Sequence, residues 1–278
     1  MQSEIEKLFE SKSDLNDVLH GPLLKDFVEA LNRGEIRSAE PSSENKSGWK
    51  VNPWVKKGIL LLFRFGKITE LDSSKQGQQF FDKDSLPLIN LNSDQGIRIV
   101  PGGSSIRSGV YIGKNVICMP PMFINIGAYV GANSMIDSHS LVGSCAQIGS
   151  NVHLSAASQV GGVLEPIGSI PVIIEDDVLV GGNCGIYEGV MLKKGCVLGS
   201  GTILNRSTPV YDLVTGEIHR ASDDEPLVVP AGAVIVPGSR PASGEHGVKW
   251  GISMSTPVIV KYRDGKTDAR VSLEDYLR

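Results

Sequence analysis

Apolar side chains recur along this chain every six residues. From Val100 the step runs through Ile106, Ile112, Cys118, Ile124, Val130, Ile136, Val142, Ile148, Leu154 and Val160, and after a break it resumes as Ile174, Val180, Ile186, Leu192, Leu198 and Leu204. A second register, four positions after each of these, reads Ser104, Val110, Val116, Met122, Ala128, Ser134, Ser140, Ala146, Val152, Ser158 and Leu164, then Val178, Cys184, Val190, Cys196, Thr202 and Thr208. Apart from Met122 and Leu164 these are small or β-branched. The residue directly after the aliphatic is Gly at 113, 131, 143, 149, 161, 181 and 199, and Asn at 125 and 205, as expected where a chain turns and positive φ is useful. A period of six therefore predicts a short strand followed by a corner. A unit this short buries one large and one small side chain, so it has no core of its own and must stack on copies of itself. Three units per turn close a triangular prism of parallel strands ~4.8 Å apart, filled by a column of aliphatic side chains.

The flanks follow other periods. Ile5, Leu8 and Phe9, then Leu23, Leu24, Phe27, Val28 and Leu31, predict helices over residues 1 to about 40, with Gly34 as a stop. Gly48 to Ile68, GWKVNPWVKKGILLLFRFGKI, is rich in β-branched and aromatic residues and reads as strands or as a buried run, a choice the pattern leaves open. Two interruptions, 165–173 and 205–226, are too polar and too rich in Pro and Gly for rungs and predict loops extruded from the prism. Such loops on a rigid scaffold are where binding concentrates. The tail from Val258 predicts a strand pair turning at Asp264-Gly265, then a short helix from Ser272. The expected divisions are a mainly helical N-terminal domain over 1–97, a parallel β-helix over 98–238 and a small C-terminal β/α segment over 239–278.

Composition narrows the class. The 278 residues carry 27 basic and 31 acidic side chains for a net charge of −4, and 41% are apolar. Neither a disordered acidic tail nor a nucleic-acid-coating protein fits. Glycine, at 32 residues, exceeds the usual ~7%, in keeping with many turns. No apolar run reaches the ~18 residues of a membrane span, and the start, MQSEIEKLFES, lacks a signal peptide's apolar centre. The expectation is a cytoplasmic protein without membrane or nucleic-acid partners. Cys118, Cys145, Cys184 and Cys196 form no C-x-x-C pair, and read as buried, reduced thiols.

The [Leu/Ile/Val]-Gly-x-x-[small]-x repeat resembles that of the hexapeptide acyltransferases. The resemblance, and not the period, implies a left-handed coil and a homotrimer with active sites in the clefts between subunits. The strings NIGAYVGANSMIDSHSLVGSCAQIGSNVHLS, GGVLEP, IIEDDVLVGG and IYEGV go beyond the generic repeat and resemble the tetrahydrodipicolinate N-succinyltransferases of the diaminopimelate route to lysine. That likeness runs from GIRIVP at 96–101 through VTGEI to VPAGAVIV. It implies transfer of succinyl from succinyl-CoA, a co-substrate, to the amine of ring-opened L-2-amino-6-oxopimelate, with no metal.

Such a transfer needs a group that orients the amine and accepts its proton as the thioester is attacked. Asp137 stands in the slot where Gly or Asn is usual, and the resemblance makes it a substrate-binding and catalytic acid. Glu188, two residues after Ile186, matches the family's second catalytic carboxylate, and Arg98, in GIRIVP, its substrate-binding arginine. Arg is the natural bidentate partner of a dicarboxylate. Arg107 and Arg206 are further candidates on chemistry alone. Gly161, Gly162, Gly181 and Gly182 permit close approach of a pantetheine arm, and Lys249, Lys261 and Lys266 are candidates for the nucleotide phosphates. Each residue also has an ordinary reading: Asp at a turn, Glu, Arg or Lys on a solvated face, Gly at a corner. Residues Arg220 to Glu225 depart from the family's pattern. The alternatives are an acetyltransferase on the same prism with His139 or His153 as base, and a non-catalytic scaffold. A zinc carbonic anhydrase would need three convergent imidazoles, and ranks of Thr-x-Thr expected of an ice-binding coil are absent.

Overall fold

The computed structural model describes residues 1–11, 17–71, 79–223 and 225–264. Its centre is a parallel β-helix with three faces. The first stacks Tyr111–Ile112, Tyr129–Val130, Gln147–Ile148, Ile173–Ile174, Met191–Leu192 and Val228–Val229 in one six-stranded sheet. The second begins with Arg98–Ile99, Ile117–Cys118, Met135–Ile136, His153–Leu154, Leu179–Val180 and Val197–Leu198. The third stacks Ser105–Ile106, Phe123–Ile124, Leu141–Val142, Gln159–Val160, Gly185–Ile186 and Ile203–Leu204. Each strand pairs in parallel with the one a full coil away, as Met135 with His153 and Ile136 with Leu154. The six-residue aliphatics face inward: Ile124, Val130, Ile136, Val142, Ile148 and Leu154 are all fully buried in one continuous core. Between Val160 and Ile174 the insertion occupies a single corner, because Ile173–Ile174 still pairs with Gln147–Ile148 and the phase of the coil survives.

Glycine after the aliphatic serves a purpose other than the one expected. None of Gly113, Gly131, Gly143, Gly149, Gly161, Gly181 and Gly199 has positive φ. A Cβ on Gly143 would lie 2.1 Å from the Gly162 nitrogen, and one on Gly131 2.5 Å from the Gly149 carbonyl carbon. These glycines let neighbouring coils approach at the corners. Positive φ falls two residues later, at Asn115, Asn133, Asn151 and Asn183 and at Gly127, Gly195 and Gly201, where short polar side chains tolerate it.

The N-terminal part packs α1 (Gln2–Glu10), α2 (Asp17–Asn32) and α3 (Pro53–Phe65) around Ile5, Leu24, Phe27, Val55, Ile59 and Leu62. The stretch from Gly48 resolves mostly as helix: Trp49–Val51 is a strand, then Pro53 takes the first helical turn, where its missing N–H costs nothing. Antiparallel Ala39–Pro41 and Trp49–Val51 lie against Ile173 and Met191 on the first face. There Arg37 stacks on Tyr129 at 3.6 Å and donates from Nε to Gln147 Oε1 at 2.9 Å. The first face is thus covered by the chain's own N-terminus.

The segment 205–226 is only partly extruded. Val210–Asp212 and Ile218–His219 form an antiparallel hairpin, and Tyr211 pairs with Val258. The second strand of the pair expected to turn at Asp264-Gly265 lies outside the described residues, and the tail strand Ser253–Tyr262 pairs with Ala233–Pro241. Together these strands extend the second face to a ten-stranded sheet, and the long pair carries α4 (Glu245–Lys249) at its tip. The helix expected from Ser272 lies outside the described residues. Among the described residues no helix is long and apolar enough to cross a membrane.

Candidate active site

Asp137 ends the strand Met135–Ile136, at the edge between the second and third faces. Its N–H donates to the Leu154 carbonyl of the next coil at 2.9 Å, which fixes the backbone. Its Oδ1 accepts the Ser138 N–H at 2.7 Å, while Oδ2 accepts no hydrogen bond among the described residues and lies 3.9 Å from His153 Nε2. The side chain is 30% exposed. A carboxylate with one oxygen tied and the other open is suited to receive a donor from solution. Arg98 lies exposed on the same face, in register with Ile117 and, through it, with Met135, so two strand spacings of ~4.8 Å separate the two rungs.

Glu188 follows Gly185–Ile186 and stands at a different edge, between the third and first faces. It is exposed, with φ of 55° followed by 74° at Gly189. Two successive left-handed residues are uncommon outside sites where the surroundings hold them. Its Oε2 accepts the Arg206 N–H at 3.0 Å, and the Arg206 guanidinium donates to the Ser222 carbonyl and, at 2.9 Å, to that of Asp223. Residues 221–223 are thereby held over a groove of about 1380 Å³ lined by Lys46, Gly161, Gly162, Glu188, Arg206 and Asp223, among others. The insertion forms another wall. Lys56, fully buried, donates from Nζ to the Ser169 carbonyl at 2.5 Å, and its burial lowers its pKa.

One chain therefore brings Arg98 and Asp137 to one face and keeps Glu188 apart from them. The glycines divide the same way: Gly161 and Gly162 lie in the Glu188 groove, and Gly181 and Gly182 on the Asp137 edge, two coils along. Arg107 is taken up by an ion pair with Asp82. Lys249 is exposed at the arm's tip, Lys261 pairs with Asp264 at 3.2 Å, and Lys266 lies outside the described residues. The four cysteines are buried and free, and burial pushes the Cys118 and Cys196 thiols up to about 12 and Cys145 to about 11. Sequence reasoning passed over Lys46, whose place at the groove depends on how the 39–51 hairpin folds back, which no spacing reveals.

Two family profiles match the chain. One, described as "Tetrahydrodipicolinate N-succinyltransferase N-terminal", matches residues 1–65, and the other, "Hexapeptide repeat of succinyl-transferase", residues 171–206. Full-length relatives decide the matter. A 2,3,4,5-tetrahydropyridine-2,6-dicarboxylate N-succinyltransferase of Legionella pneumophila (strain Corby) is 40% identical over 287 residues, covering 100% of this chain and 97% of that protein. One of Neisseria meningitidis serogroup B is 40% identical over 287 residues, covering 100% and 98%. The chain belongs to the 2,3,4,5-tetrahydropyridine-2,6-dicarboxylate N-succinyltransferase family. The coil is the left-handed one of the hexapeptide repeat. A hexapeptide-repeat-containing acetyltransferase from Vibrio cholerae is 20% identical with a TM-score of 0.31, covering 44% of this chain and 65% of that one, a likeness too loose to carry an argument. Membership in the N-succinyltransferase family makes the chain an acyltransferase.

Proposed function

We propose that Asp137, Arg98 and Glu188 carry the succinyl transfer of the diaminopimelate pathway that this family performs. Succinyl-CoA is the acyl donor, and the acceptor is ring-opened tetrahydrodipicolinate, L-2-amino-6-oxopimelate. Arg98 pairs with a carboxylate of the acceptor, and Asp137 receives the amine. As the nitrogen attacks the thioester carbonyl, the new C–N bond forms, a proton passes to the Asp137 carboxylate, and the C–S bond breaks to release CoA as its thiolate, which the proton held by Asp137 then neutralises. No acyl-enzyme intervenes. Glu188 presents the second carboxylate from the groove that receives the acyl-CoA, with Gly161, Gly162, Gly181 and Gly182 allowing its arm to lie close. The observation that carries this reading is the state of Asp137: half-buried on a rigid edge, one oxygen fixed by Ser138 N–H and the other accepting no hydrogen bond among the described residues.

The two acids sit on different edges, and roughly six residues at ~3.3 Å each separate neighbouring edges around the coil. A shared site therefore draws on two subunits, and the assembly is a homotrimer with prisms side by side. The surface supports this. The first face is covered by the N-terminus, whereas on the second and third faces Met135, Leu179, Phe123 and Leu141 are half-buried and Ile203 is exposed, apolar side chains that a neighbouring prism would cover.

The test is a thiol-release assay with succinyl-CoA and acetyl-CoA in parallel and 2-aminopimelate as acceptor. The wild type is expected to prefer succinyl-CoA. Asp137→Ala should lose on the order of 10²–10⁴-fold in kcat, the usual worth of a positioned acid-base group, without losing its oligomeric state. Preference for acetyl-CoA, or full turnover by Asp137→Ala, would defeat the reading.

A further inference from the structure

His153 occupies the outward slot of its strand, directly above Met135 and below Leu179 in the register of the second face. Eighteen residues, one full coil, separate it from Met135. That spacing brings its ring to the edge where Asp137 stands. Its side chain is 20% exposed, and its Nε2 is buried with no hydrogen-bond partner among the described residues. Met135 and Leu179 are uncharged, and the charged group facing the ring is Asp137, whose Oδ2 is 3.9 Å from Nε2. Buried polar nitrogens without partners are uncommon in folded proteins and call for an explanation. Here the orphaned donor and the orphaned carboxylate oxygen face each other, about 1 Å beyond hydrogen-bond length. Catalytic hydrogen bonds are often long in unliganded sites and tighten when substrate binds.

We propose that His153 is a positioning residue for Asp137. With the acceptor amine seated, Nε2–H closes onto Oδ2, so that Ser138 N–H and His153 together fix the plane of the carboxylate and aim its remaining lone pairs at the amine. The inference rests on the reading of Asp137 as the proton acceptor. The imidazole must be neutral for this, because an imidazolium would make the carboxylate a poorer base. Burial supplies that condition, lowering the His153 pKa against the opposing pull of Asp137. His153 thus acts through Asp137, not on the thioester.

His153→Leu and His153→Gln separate this role from a structural one. Leu fills the slot between Met135 and Leu179 but donates nothing, whereas Gln places an amide N–H near the position of Nε2. The expected result is a roughly ten- to hundredfold loss of kcat in His153→Leu, with KM for both substrates within about twofold, and recovery to within about threefold of wild type in His153→Gln. Thermal melting and sedimentation should match the wild type in both. The ratio of the Gln variant's kcat/KM to the wild type's should rise as pH falls below the ordinary imidazole range, since burial delays protonation of His153 and the amide never takes up a proton. Asp137→Asn is measured alongside. If it is inactive while His153→Leu turns over within twofold of wild type, or if Gln rescues nothing, the role of His153 is overturned and that of Asp137 stands. If Asp137→Asn is fully active, the underlying assignment fails, and the inference with it.

Discussion

At the scale of single residues, a polar group's partners decide whether it is structural or available. Asp212 is fully enclosed, and its burial, which raises a carboxyl pKa, is outweighed by the Tyr262 hydroxyl at 2.6 Å and the N–H groups of Thr215 and Val214, which hold it near about 2. The same hydrogen bond pushes Tyr262 up to about 12. Asp212 therefore stabilises the fold fully above pH 3.8, and that contribution is lost as pH falls through about 2. Tyr262 contributes below pH 10 and ceases to as pH rises through about 12. Tyr262→Phe should cost about 1.5–3 kcal/mol in denaturant titrations at neutral pH, the range for hydrogen bonds to charged groups. The deficit should shrink as the carboxylate protonates below pH 3. Asp137 differs because its second oxygen has no such donor among the described residues. It was singled out because it replaces Gly or Asn in a repeating slot, and its expected role came from the match of its string, MIDS, to the family. Glu188 was legible only through the string IYEGV, since an exposed Glu after a strand carries no signal of its own.

At the scale of elements, the coil was readable because every rung repeats one inward pattern, and Ile136, Val142 and Ile148 face inward as the period requires. The corners were read for the wrong reason: the glycines after the aliphatics are set by the distance between coils, which no single rung contains. Gly143→Ala, with a Cβ aimed at the Gly162 nitrogen 2.1 Å away, should lower stability by about 1–3 kcal/mol through overpacking. Gly168→Ala, which meets nothing within 4 Å and needs no positive φ, should leave the thermal midpoint unchanged. The helix α3 was ambiguous because Val, Ile and Phe suit a strand and a buried helix alike. Asn52-Pro53 at its start was the signal that distinguishes them. The hairpin within 205–226 escaped notice because its strands are short and its partner, Val258, is distant in sequence.

At the scale of the whole molecule, three faces divide the labour. The first receives the N-terminal helices and hairpin, the second carries Arg98, Asp137 and His153, and the edge beyond the third carries Glu188 and its groove. No single chain brings the two acids to one edge, so the proposed catalysis is a property of the assembly. The most direct measurement mixes two inactive chains, Asp137→Ala and Glu188→Ala, by refolding or co-expression. In every mixed trimer one of three interfaces recovers both acids, so a random 1:1 preparation should regain about a quarter of wild-type turnover. Activity no higher than that of the separate variants, in trimers shown to be mixed, would contradict a site shared between subunits.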